Sequence, residues 1–95
     1  MPNAPLAFIK DCLAAGRVCW TYHVTMRLHQ RTLTSGMVRN AMASLDIIEE
    51  YPHDKYLPSF LVRGESAGCV FHAQIATDVE GENIRIVTMY TPDPE

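Results

Sequence analysis

No apolar run in this chain approaches the roughly 18 residues that a membrane-crossing helix needs, so no membrane span is expected. No basic segment precedes an apolar stretch near Pro2, Asn3 and Pro5, so no signal peptide is expected either. Cysteine is scarce. Cys12, Cys19 and Cys69 make an odd count, and no pair is spaced C-x-x-C. That argues against a disulfide framework or a zinc knuckle, and free thiols fit a reducing cytoplasm. The five glycines are scattered, and none forms a glycine-rich loop after a strand, so phosphate-loop and dinucleotide motifs are missing. No strand–turn–helix elbow surrounds a serine or cysteine in the way a hydrolase nucleophile needs.

One further absence is local. From Cys12 to Leu45 there is no Asp or Glu, while Arg17, Arg27, Arg31 and Arg39 make that stretch formally +4. From Asp46 to Glu95 the balance is −7. Two readings fit this split. One is an anion-binding face on an acidic molecule. The other is intramolecular, with basic helices lying against an acidic sheet rim.

What is present is ordinary for a globular domain: 95 residues, 47% hydrophobic and 20% charged. That length is one domain, long enough to build a single core. Pro5 to Gly16 reads as a helix with Asn3 as cap, Leu6, Ile9 and Leu13 as its apolar stripe and Gly16 closing it. Arg17 to Trp20 reads as a connection or brief extended piece, with Trp20 as a core anchor. Thr21 caps a second helix to about Gln30, and Thr34 a third from Ser35 to about Ser44. The period then changes. Strands are expected at Asp46–Tyr51, Ser59–Arg63, Cys69–Thr77 and Ile84–Tyr90, separated by proline- and glycine-bearing turns. In the last strand, strict alternation puts Ile84, Ile86, Thr88 and Tyr90 on one face and Arg85, Val87 and Met89 on the other. The expected class is α+β: two or three N-terminal helices packed on a roughly four-stranded antiparallel sheet.

The second helix carries the candidate chemistry. His23, Arg27 and Arg31 recur every four residues, so they sit about 40° and then about 80° around the axis from His23. They form one polar stripe able to hold an anion, with His23 at the helix N-terminus, where the macrodipole favours a bound anion. His72 is central in the third strand and shares its face with Val70, Gln74 and Ala76. It is either a half-buried structural residue or a catalytic one. His29 and His53 read as solvent-facing. Two imidazoles near a phosphodiester can act as general base and acid, with arginines stabilising the phosphate charge. RNA supplies its own nucleophile, the 2′-OH, so this chemistry calls for no metal. His23, His72 and Asp54 could together offer three ligands, yet no spacing demands it. No metal or cofactor is expected.

Several separated motifs carry a family resemblance: Thr21-x-His23-x-x-x-Arg27-x-x-x-Arg31, Val38 through Ile48, Tyr51-Pro52-x-Asp54, Gly64 with His72, and Thr88-x-Tyr90-x-Pro92. From about Trp20 to Asp93 the chain resembles the small bacterial domain-of-unknown-function family 4258. The resemblance implies a fold similar to RelE/ParE- and BrnT-type toxins, helices followed by an antiparallel sheet. It also implies a ribosome-dependent or free RNA endonuclease paired with an antitoxin. By position it points to His23, Arg27, His72 and Tyr90 as catalytic residues and to Arg31 and Asp54 as substrate-binding. In these roles His23 and His72 are acid and base, Arg27 and Arg31 hold phosphate, and Tyr90 bonds substrate or positions a histidine. The implied partners are RNA, an antitoxin protein and a second copy of the chain. The rival reading is a non-catalytic interaction module whose His/Arg cluster is structural.

Overall fold

A computed structural model describes residues 4–20, 35–54, 56–66 and 68–91. The first helix, α1, spans Pro5–Ala15. Proline stands in its first turn, where a missing N–H leaves no helical bond unmade. Ala4 holds the N-cap, the position expected for Asn3, and no side chain caps the helix. The chain leaves α1 through Gly16, whose φ of 74° is left-handed and suits a residue without Cβ. Gly16 N–H donates to the Leu13 carbonyl at 3.3 Å and Arg17 N–H to the Cys12 carbonyl at 2.9 Å. These are the two bonds of a Schellman end, and they turn the chain sharply. Val18–Trp20 then forms β1.

The chain continues through a short helix, α2 (Ser35–Asn40), and a 3-10 turn (Met42–Ser44). Four strands follow: β2 (Asp46–Tyr51), β3 (Ser59–Ser66), β4 (Cys69–Asp78) and β5 (Asn83–Tyr90). The sheet order is β1-β5-β4-β3-β2. β2 to β5 are an antiparallel meander, but β1 runs parallel to β5, with Val18 opposite Ile84 and Trp20 opposite Ile86.

The expected class, α+β with two or three N-terminal helices on a roughly four-stranded antiparallel sheet of RelE type, is therefore wrong. The described residues are dominated by a five-stranded mixed sheet, with one helix of three turns and a six-residue second one. Arg17 to Trp20, expected as a connection or brief extended piece, supplies the fifth strand. The helix expected to reach Ser44 stops at Asn40. Ser44 explains the tightened turn. Its hydroxyl donates to the Ala41 carbonyl at 2.9 Å and accepts the Glu65 N–H at 3.0 Å, tying the turn to β3 rather than continuing the helix. The expected second helix, with His23, Arg27, His29 and Arg31, lies outside the described residues.

α1 and α2 pack on one face of the sheet. Ile9, Cys12 and Leu13 of α1 and Val38 of α2 join Phe60, Val62, Phe71, Ala73, Ile75, Ile84, Ile86 and Met89 in one core. Gly64 lets that core close: a Cβ there would stand 2.6 Å from the Phe71 Cζ and 3.0 Å from the Leu45 Cδ2. Two irregularities shape the sheet. Between Ile47 and Glu49 β2 carries one residue more than β3, and between Ile86 and Thr88 β5 carries one more than β4. An extra residue bends a strand and changes which face its later side chains take. In β5 it overturns the strict alternation. Ile84, Ile86 and Met89 face the core, whereas Arg85, Val87, Thr88 and Tyr90 do not.

Candidate functional site

The face away from the helices carries the polar residues that alternate with the core. β4 places His72 and Gln74 there, between Arg63 and Leu61 of β3 and Tyr90 and Thr88 of β5. His72 and Tyr90 are direct cross-strand partners. The His72 Nδ1 lies 3.3 Å from the Tyr90 phenolic oxygen, and the rings meet edge to face with centroids 5.3 Å apart. Both side chains are half-buried. When the imidazole carries its proton on Nε2, the Tyr90 hydroxyl donates to Nδ1. When Nδ1 is protonated, the direction reverses. The phenol thus holds the ring in either state and leaves Nε2 for a third group.

A second polar chain runs beside this pair. The Gln74 Nε2 donates to the Ser59 hydroxyl at 3.1 Å, and that hydroxyl donates to the Asp54 carboxylate at 2.6 Å. Ser59 is fully buried, so its hydroxyl needs both neighbours. Asp54 itself is exposed, and its backbone N–H donates to the Tyr51 carbonyl at 3.3 Å, closing the turn after β2. The Tyr51 hydroxyl donates to the Glu49 carboxylate two residues back on the same face. That bond, with partial burial and then the charges of Glu49, Tyr90 and Asp54, raises the Tyr51 pKa above its ordinary 10.0.

Two sequence-derived candidates meet here, His72 and Tyr90, while Asp54 ends the separate chain through Ser59 and Gln74. His23, Arg27 and Arg31 lie outside the described residues. Sequence reasoning missed Glu49 and Ser59, and it quoted Tyr51 in a motif without giving it a role. The signal for Ser59 was its place at the start of β3, opposite Ala76 and two positions along the pleat from the residue facing Gln74. Among the described residues, no three His, Cys, Asp or Glu side chains gather as a metal-binding group. His53 is exposed in the loop after β2, as expected.

Sheet, helices and site together define a small domain with an apolar core on one side and a histidine–tyrosine surface on the other. Residues 20–91 match the family described as domain of unknown function (DUF4258), and the chain belongs to that family. No curated protein and no solved structure matches the chain.

Proposed function

We propose that this domain is a metal-independent RNA-cleaving or RNA-binding protein of toxin type, acting in the cytoplasm and held in check by an antitoxin partner. The supporting observation is the His72–Tyr90 pair: an ionisable ring oriented by a phenol, on a sheet face that also bears Arg63, Gln74 and Thr88. In the proposed reaction one imidazole takes the proton of the RNA 2′-OH as that oxygen attacks phosphorus. The second protonates the departing 5′ oxygen, leaving a 2′,3′-cyclic phosphate and a 5′-OH. His72 and His23 are assigned these two roles. Tyr90 keeps His72 aimed, and Asp54 contacts the substrate strand. The described face carries Asp46, Glu49, Asp54, Glu65 and Asp78 against Arg63 and Arg85, and Arg85 is paired with Asp78 at 3.4 Å, so it does not by itself attract a polyanion. The phosphate-binding charge is therefore assigned to Arg27 and Arg31.

That same acidic excess favours a second reading, a non-catalytic interaction module in which the polar cluster is structural. Induced expression separates the two. Wild type is compared with His23→Ala, Arg27→Ala and His72→Ala at matched soluble levels, following growth and the RNA profile. Growth arrest with RNA loss, abolished by each substitution, supports the nuclease. Normal growth and intact RNA with well-folded wild type reject the free toxin in that host and favour the module.

A further inference from the structure

We propose that the outer edge of β2 is a docking site for an extended, basic strand of a partner protein. β2 ends the sheet and, among the described residues, pairs only with β3. An edge strand presents a row of backbone N–H and C=O groups that another strand can complete. Every residue of β2 except Ile47 is exposed. The opposite edge, β1, offers three residues against six.

Charge selects the occupant. β2 carries Asp46, Glu49 and Glu50 and no basic residue. By register Asp46 and Glu49 lie on the outer face, while Glu50, opposite Phe60, lies on the core side. Carboxylates thus flank the edge from both faces. A second copy of β2 would bring three more carboxylates to an edge that already carries three, and gathering like charges disfavours that pairing. A strand bearing Lys or Arg at alternate positions carries them all on one face, where they meet Asp46 and Glu49. The extra residue at Ile48 guards against indiscriminate edge pairing. Beyond it, Glu49, Glu50 and Tyr51 keep regular register with Leu61, Phe60 and Ser59, so that part of the edge is straight ladder. Ile48, 45% exposed, adds an apolar contact for the partner's intervening side chains. His72 and Tyr90 take no part, so this inference stands apart from RNA cleavage.

The test uses the full chain and a capped six-residue peptide of alternating valine and lysine. Two controls are the same peptide with alternate backbone amides N-methylated and a valine–glutamate version. Binding is read by fluorescence anisotropy and its location by amide exchange. The valine–lysine peptide is expected to bind and to slow exchange in β2, while both controls bind at least about tenfold more weakly. Triple charge reversal, D46K/E49K/E50K, is expected to exchange the preferences of the two charged peptides. Equal binding of the N-methylated peptide overturns strand addition, as does protection elsewhere or no binding. The peptide comparison runs on wild type, so a misfolded variant leaves the test intact.

Discussion

Tyr90 reaches His72 because β5 carries one extra residue at Val87. Strict pleating from Ile86 would turn Tyr90 toward the core with Ile84. The bulge instead turns Met89 inward, 1% exposed, and sends Tyr90 outward to within 3.3 Å of the imidazole. The irregularity therefore builds the pair and completes the core at once.

The pair can be cut without disturbing the ring contact. Tyr90→Phe keeps the edge-to-face packing and removes one half-buried hydrogen bond. It should lower stability by about 0.5–1.5 kcal/mol in urea unfolding. Unchanged stability together with an unmoved His72 ring in NMR would show that the bond does not orient the histidine.

Ser59 should matter more than its size suggests. Its buried hydroxyl joins Gln74 to Asp54. Ser59→Ala leaves a half-buried amide and a carboxylate without that partner, a loss of about 1–3 kcal/mol. Thr at this position keeps the hydroxyl but adds a methyl where no surface is exposed. Serine-to-threonine replacement should therefore recover only part of the loss, read by the same unfolding curves.

Gly64 is required by space. Its φ is not left-handed, yet an added methyl meets Phe71 and Leu45 at 2.6 and 3.0 Å. Gly64→Ala should destabilise by about 1–3 kcal/mol through overpacking. Pairing it with Phe71→Leu should return part of that loss in a double-mutant cycle, whereas strict additivity would reject the contact.

Tyr51 sets an alkaline prediction. Its folded-state pKa is raised, mainly by the hydrogen bond to Glu49, so the fold favours the neutral phenol. That contribution is complete below the unfolded pKa and is lost as pH rises through the higher folded value. Glu49→Gln removes the carboxylate charge and should bring the Tyr51 titration down toward 10.0. NMR of ring-labelled tyrosine across the alkaline range checks it.

The sequence disclosed the elements whose signals are local. Gly16 marked the end of α1, and Ile9 and Leu13 its buried stripe. Prolines 52 and 58 bounded the loop between β2 and β3, and alternation around His72 identified the face it shares with Gln74. What it hid is non-local. Val18–Trp20 is a strand only because β5 arrives beside it more than sixty residues later, and a three-residue run carries no period of its own. The phase change at Val87 depends on pairing with β4, and nothing in Ile86-Val87-Thr88-Met89 announces it. The fold class failed through β1 and the short α2. Tyr90 was named from a motif, to bond substrate or position a histidine, while strict alternation grouped it with Ile84 and Ile86, so the geometry that brings it to His72 came from pairing and not from the pattern.

The most direct measurement incubates the purified chain with a labelled single-stranded RNA in EDTA, beside His72→Ala and Tyr90→Phe, and identifies the product ends. The expected result is cleavage to 2′,3′-cyclic phosphate and 5′-hydroxyl ends, lost in His72→Ala and about 10- to 100-fold slower in Tyr90→Phe, a smaller loss than the roughly 10²- to 10⁴-fold of the acid or base itself. Cleavage by His72→Ala at the wild-type rate, or intact RNA with folded wild type, would contradict a catalytic role for the histidine.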